Sequence, residues 1–401
     1  MRVLLLNLYY PPDTSATAKM AATVAEALAA RHEVTVLCGR PSYDPSERRP
    51  WRLWQTERQG RVTIIRVGST AYPRFRMKQR VLNYLTYVAL AVPRALVERC
   101  DLVLAMTDPP FEGIVGALVA LLKRRPLVYN IRDLYPDMAL GGGLIRPGLL
   151  ARLWERLHRW ALERARRVIV LGEDMRARIL AKGVPALRIA VVRDGAETVA
   201  ADRPPPPLDA GVMETIRGNY RFVVVHAGNL GFYGAWETLI TAARELEGEG
   251  VGLVFVGEGA DKARVQAAAE GCAAVRLLPF FPTAKIPSVL AAADIHAITV
   301  KRGLEGIVVP SKLYGILAAG KPMLVVAPLE SEAARVALTW GCGVACDPEQ
   351  PQALAARLRE LAHDPERVRQ MGARARALAP EFDRAKQMAN LTRIIEEAAQ
   401  K

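Results

Sequence analysis

The feature that most constrains this fold is a repeated alternation of two hydrophobic patterns. Short runs rich in Val, Ile and Leu, without polar alternation, occur at 2–8, 33–37, 62–67, 102–106, 127–131, 168–171 and 189–192. Stretches with helical spacing separate several of them, at 16–30, 76–99, 112–123, 149–165 and 173–182. A strand with one wet face alternates apolar and polar residues, whereas a strand covered on both faces does not. These runs therefore predict a parallel sheet flanked by helices on both sides. The four prolines Pro204–Pro207 interrupt the pattern, as a stiff polyproline spacer would. It then restarts, with strands predicted at 221–226, 251–256, 275–278, 295–300, 323–326 and 343–346. Helices are predicted at 235–246, 261–270, 286–292, 312–319, 332–339, 352–363 and 383–399.

The reading is an α/β chain of two doubly wound, Rossmann-like domains facing a cleft. The first spans 1–195, a linker 196–219, the second 220–380, and a C-terminal helix in 381–401 crosses back to the first. The length of 401 residues agrees, at about 150 residues per domain. Open sheets of this kind bind ligands beyond the carboxyl ends of their strands, so two of them imply two substrates.

Composition excludes several classes. With 51% hydrophobic and 24% charged residues, the chain is neither disordered nor collagen-like. No apolar stretch approaches the ~20 residues of a membrane span, and the N-terminus lacks the pattern of a secretory signal. The five cysteines, Cys38, Cys100, Cys272, Cys342 and Cys346, are scattered and odd in number, which points to buried thiols in a reducing cytoplasm. The net charge of +14 lies wholly in residues 1–200, with 32 Lys/Arg against 18 Asp/Glu, while 201–401 is balanced at 23 each. Residues 40–100 alone hold 13 basic and 4 acidic side chains.

Several segments carry chemistry. Gly228, Asn229 and Gly231 fall in a strand-to-helix turn, where glycine lets a backbone approach phosphate; a plain tight turn reads the same way. Gly257-Glu258-Gly259 repeats the arrangement after the next predicted strand. Pro310 and Ser311 suit a helix start, with Ser as cap, but Lys312 in a first turn opposes the helix dipole. A bound diphosphate would resolve that conflict. Arg132 and Asp133 follow a buried strand and so sit at its carboxyl edge, where a structural ion pair is the competing reading. The five histidines, His32, His158, His226, His296 and His363, lie in no nucleophile or zinc motif, and each reads as structural. No Asp-x-Asp metal motif occurs. Arg74, Arg76, Lys78 and Arg80 precede an apolar helical run with Tyr84 and Tyr87 interleaved, a pattern suited to an anionic membrane surface.

At this point the chain resembles the retaining glycosyltransferases of family 4, which have the GT-B fold, and within them the bacterial branch that builds cell-surface polysaccharides on polyprenyl-diphosphate carriers. The matching stretches are Asn7-Leu8-Tyr9-Tyr10-Pro11-Pro12-Asp13, Arg132-Asp133-Leu134-Tyr135-Pro136-Asp137, Ala227-Gly228-Asn229-Leu230-Gly231, and the segment from Val309-Pro310-Ser311-Lys312 to Gly320-Lys321-Pro322. The resemblance implies a nucleotide-sugar donor, most readily a UDP-sugar, on the second domain and a lipid-linked glycan acceptor on the first. It places Gly228, Asn229 and Gly231 beside the diphosphate, Glu258 near the nucleoside, and Ser311 and Lys312 on phosphate. Asp133 and Arg132 would serve the acceptor or sugar, and the loop 12–16 would approach the donor.

The chain also departs from that pattern. The family's Glu-x7-Glu pair is broken: Gly315 takes the second position, and Glu305 stands near the first at a different spacing. Asn229 and Gly234 occupy places usually held by Arg and Lys, and Asp194 replaces an Asn. Phosphate charge then falls to Lys312, with Lys301 or Arg302, and to helix dipoles. The implied enzyme is a hexosyl or N-acetylhexosaminyl transferase that needs no metal or other cofactor. It would work on the inner membrane face, with leaving-group phosphate as base in a front-face reaction. A nucleotide-sugar 2-epimerase on the same fold is the alternative. A nucleic-acid binder would need an aromatic-basic platform or helix-turn-helix, and neither is evident.

Overall fold

The computed structural model describes residues 1–42, 50–72, 76–198 and 207–400. Arg74 and Pro204–Pro206 lie outside the described residues. The chain divides into two compact units, Met1–Arg193 with Gln387–Lys401, and Asp194–Lys386.

The first unit is built on β1 (Arg2–Leu6), β2 (Glu33–Cys38), β3 (Trp54–Gln59), β4 (Val62–Val67), β5 (Leu102–Ala105), β6 (Leu127–Asn130), β7 (Ala165–Val170) and β8 (Ile189–Val191). They form one sheet in the order β3-β4-β2-β1-β5-β6-β7-β8. All pairings are parallel except β3 with β4, an antiparallel edge. That strand, WQTERQ, was not anticipated: its residues are exposed or half-buried, so it lacks the apolar run that marks the others. A polar edge also discourages pairing with another chain. The helices are α1 (Ala16–Ala29), α2 (Met77–Val97), α3 (Glu112–Lys123), the short α4 (Asp137–Gly141), α5 (Leu149–Arg164) and α6 (Glu173–Ala181). Ser15 caps α1, accepting from the Ala18 N–H at 3.0 Å.

The second unit holds α7 (Ala210–Arg217), β9 (Phe222–Ala227), α8 (Trp236–Glu245), β10 (Val251–Val256), α9 (Lys262–Ala269), β11 (Val275–Leu278), α10 (Ile286–Ala292), β12 (Ile295–Thr299), α11 (Lys312–Ala318), β13 (Met323–Val326), α12 (Glu332–Thr339), β14 (Gly343–Cys346), α13 (Pro351–His363) and α14 (Pro365–Leu378). Its sheet is parallel throughout, ordered β11-β10-β9-β12-β13-β14. Helix α7 falls in the segment read as linker. Asp209 caps it through the Val212 N–H, and Ile216 is fully buried. Helix α14 was missed because PERVRQMGARARAL is arginine-rich; Met371, Ala375 and Leu378 anchor it.

The last helix, α15 (Arg384–Ala399), joins the first unit from Gln387 onward. Its Met388, Leu391, Ile394 and Ile395 enter the same core as Val24 and Leu28 of α1. All five cysteines are buried, and none is in a disulfide among the described residues.

Each sheet reverses strand order once, between β1 and β5 and between β9 and β12. Those switch points splay the loops apart and open a crevice at the carboxyl edge.

Beside the first switch point, Glu112 is fully buried and accepts a hydrogen bond from the Tyr87 hydroxyl at 2.9 Å. Burial lifts its pKa well above the ordinary 4.5. The folded state therefore keeps a proton that the unfolded chain releases, so this contribution is complete below pH 4.5 and lost as pH rises. Glu112→Gln keeps the acceptor and removes the titration. Thermal melts should show the variant a few degrees more stable than the parent at pH 8, with the two converging near pH 4.

Candidate active site

In the second unit, β9 and β12 flank the switch point, and the loops above them bring the candidate residues together. β9 delivers His226 and Ala227 and is followed by Gly228, whose φ of +145° is a conformation that side-chain-bearing residues rarely adopt. The two glycine-rich turns are laced together. The Gly228 N–H donates to the Val256 carbonyl at 2.9 Å, and the Leu230 N–H to the Glu258 carbonyl at 2.8 Å. A Cβ on Gly257 would lie 1.9 Å from the Gly228 oxygen, so only glycine allows this approach.

Lys312 opens α11 and reaches across to this turn. Its Nζ lies 2.8 Å from His226 Nε2, and a Cβ on Gly228 would sit 3.0 Å from it. His226 is wholly buried, edge-on to Trp236 with ring centroids 4.7 Å apart. Its Nδ1 faces the Ala297 carbonyl at 3.1 Å. That carbonyl can only accept, so Nδ1 carries the proton and Nε2 accepts from Lys312. Burial, then the neighbouring Lys312, hold the histidine pKa well below its usual 6.5, so the ring stays neutral. Desolvation likewise pushes Lys312 down to about 7. A lysine held in this way gains a full charge when an anion arrives, because the anion repays the desolvation cost.

The other predicted donor residues are placed as follows. Asn229 is exposed, and its carbonyl accepts from the Tyr233 hydroxyl at 3.0 Å. The Gly231 carbonyl accepts from Trp236 Nε1 at 2.9 Å. Glu258 stands on the turn after β10 in an ion pair with Lys262 at 2.6 Å. Glu305 turns one oxygen back to the Gly303 N–H at 2.7 Å. Ser311 precedes α11 but makes no cap hydrogen bond: its backbone is helical, φ −63° and ψ −21°, whereas a capping residue needs an extended one. Of the two alternative cations, Arg302 pairs with Asp347 and Glu349, and Lys301 Nζ donates to the Phe232 carbonyl at 2.9 Å. Among the described residues, that leaves Lys312 as the cation against the Gly228 turn.

Beneath Lys312 lies an apolar cavity of about 190 Å³, walled by Phe280, Phe281, Ile286, Val289, Gly315 and Ile316 among others. Nothing lies within 4 Å of where a Gly315 side chain would begin, so the missing carboxylate leaves open space.

In the first unit, Arg132 and Asp133 follow β6 and are half-buried; the Arg132 N–H donates to Thr107 Oγ1 at 3.3 Å. The α2 residues divide. Arg76 and Lys78 are exposed, as are Met77, Val81 and Leu85. Tyr84 is only 4% exposed and cannot face a membrane. Arg80 lies over its ring, 5.6 Å from the centroid; burial opposes its charge, but the phenols of Tyr84, Tyr135 and Tyr9 keep its pKa raised. The helix buries its tyrosines and exposes its aliphatics, so those two residues build an inner aromatic-cationic cluster.

Residues 15–195 match the family model for the glycosyl transferase 4-like domain, and residues 216–378 that for glycosyl transferases group 1. The chain belongs to the family 4 glycosyltransferases and has their GT-B fold, two Rossmann-like parallel-sheet domains. It is similar to the putative colanic acid biosynthesis glycosyl transferase WcaI of Escherichia coli (strain K12), 26% identical over 377 residues, covering 90% of this chain and 92% of the relative. It is also similar to the probable glycosyltransferase WbjE of Pseudomonas aeruginosa, 29% identical over 266 residues, 66% of each chain. The crystal structure of Anabaena HepE in complex with UDP shares the fold with a TM-score of 0.69 at 19% identity, over 99% of this chain and 100% of that one. Both family models describe glycosyl transfer, which leaves the epimerase reading without support.

The sequence alone marks His226 as structural; its position directly before the Gly228 turn is the one signal it carries for the site.

Two outcomes follow from this geometry. Gly228→Ala should strain the turn and displace Lys312, weakening nucleotide binding about tenfold or more in calorimetry. Lys312→Met removes a desolvated amine. A depressed pKa contributes stability above the unfolded value of 10.5 that is lost as pH falls towards about 7. The variant should therefore melt above the parent at pH 6, with the gap closing near pH 10.

Proposed function

We propose that this glycosyltransferase is retaining and metal-independent. It moves a hexosyl or N-acetylhexosaminyl group from a nucleotide-diphosphate sugar, most readily a UDP-sugar, to a lipid-linked polyprenyl-diphosphate glycan in cell-surface polysaccharide synthesis. The observation that carries the reading is the desolvated Lys312, hydrogen-bonded to His226 at 2.8 Å beside the glycine-dependent Gly228 turn at the switch point. The relatives' names, one for colanic acid biosynthesis, and the UDP held by HepE agree with it.

The donor diphosphate lies on the Gly228–Gly231 turn, with Lys312 on a phosphate oxygen and Ser311 free to add its hydroxyl. As the glycosidic bond breaks, charge builds on the departing diphosphate, and a cation already desolvated in place stabilises that charge without reorganisation. The apolar cavity beside Phe280 and Phe281 takes the base, and the open space at Gly315 leaves the ribose without the family carboxylate. Glu258 and Glu305 line the approach to nucleoside and sugar. Arg132 and Asp133 orient the acceptor hydroxyl. Leaving-group phosphate takes the acceptor proton on the same face, which gives retention. Arg76 and Lys78 of the basic first unit attract the acceptor's diphosphate and the anionic inner face of the plasma membrane.

A thermal-shift panel of UDP, GDP, UDP-glucose and UDP-N-acetylglucosamine tests the donor. A ligand at 100 times its Kd should stabilise by about 2.7 kcal/mol, and Lys312→Ala should abolish the shift and most turnover. No shift with any nucleotide, or near-normal turnover in that variant, would sink the assignment.

A further inference from the structure

A surface helix ordinarily turns its apolar stripe inward; α5 carries a second such stripe facing out. Ala151, His158, Ala161 and Leu162 form its buried face. Leu149 is 83% exposed, Leu150 71%, Leu153 53% and Leu157 42%. At about 100° per residue these four share one arc of roughly 100°, beside the buried one. Arg152, Arg156 and Arg159 occupy the adjoining arc of about 60°, all exposed. Arg159 is paired with Glu155, whereas Arg152 and Arg156 have no ion-pair partner among the described residues. Leu144, 48% exposed, and the exposed Arg146 continue the pattern into the preceding loop.

We propose that this outward face of α5 docks on an anionic lipid bilayer, with Leu149, Leu150, Leu153 and Leu157 in the headgroup boundary and Arg152 and Arg156 on lipid phosphates. The proposal rests on the membrane-side reading above and adds to Arg76 and Lys78 of α2 an anchor on a helix that the sequence did not single out. Charge decides the occupant. The leucine stripe is bordered by arginines on the half of the chain that carries the whole net charge of +14, which matches an anionic surface with an apolar interior. An anionic bilayer satisfies both arcs, because apolar side chains enter the acyl boundary while guanidinium groups meet phosphate.

The test is flotation of the full-length protein with vesicles of phosphatidylglycerol and phosphatidylethanolamine that contain no glycan lipid, beside vesicles of phosphatidylcholine alone. The parent should float with the anionic vesicles and not the neutral ones. Leu149→Ser with Leu153→Ser, and separately Arg152→Glu with Arg156→Glu, should each lower binding about tenfold or more. All four positions are exposed, so thermal stability and the shift produced by UDP should stay at parental values. Unchanged flotation in both double variants overturns the proposal, as does a parent that binds neither vesicle. A concentration-dependent dimer in sedimentation that the leucine variant dissociates also overturns it, by assigning the face to a second copy. None of these outcomes touches nucleotide binding, so the donor assignment stands or falls separately.

Discussion

The architecture rests on one constraint: a strand covered by helices on both faces has no wet side, so it must be apolar throughout and must pair on both edges. The interior strands β5, β10 and β13 meet that demand, and the polar β3 sits at an edge. Once the sheets are parallel, every crossover returns the chain to the same end, and the loops at the carboxyl edges collect polar groups that the layers exclude. The Gly228 turn, His226 and Lys312 meet for this reason: β9 and β12 are neighbours whose chains then leave in opposite directions. A lysine can remain desolvated there only because a neutral histidine accepts its hydrogen bond.

Much of the fold was legible in the sequence because burial on both faces leaves a dense local signature. The strands from Val251, Val275, Met323 and Gly343 begin and end where their apolar runs do. What escaped lacked that signature. Strand β3 is polar, α4 has only five residues, and α14 hides three core contacts among its arginines. Helix α7 was obscured by the prolines before it.

The site was legible in the same uneven way. Lys312 stood out by breaking a local rule, a cation where a helix dipole opposes it. His226 did not, because a histidine closing a buried strand looks the same whether it fills space or holds a partner. Ser311 misled because residue type favours a cap that its backbone conformation forbids. Helix α5 shows a further limit: its sequence holds two apolar arcs, and periodicity alone does not say which one the sheet covers.

The C-terminal helix has a consequence for how the molecule is made. Met388, Leu391, Ile394 and Ile395 fill the core of the first unit, so that unit's hydrophobic centre is assembled from segments on both sides of the second in sequence. On a ribosome residues 1–193 emerge before α15, so their core stays unfinished until that helix follows. The middle of the chain has by then supplied every strand of its own sheet and can close ahead of them. The unit whose strands are translated first thus completes its core after the second unit has all of its strands.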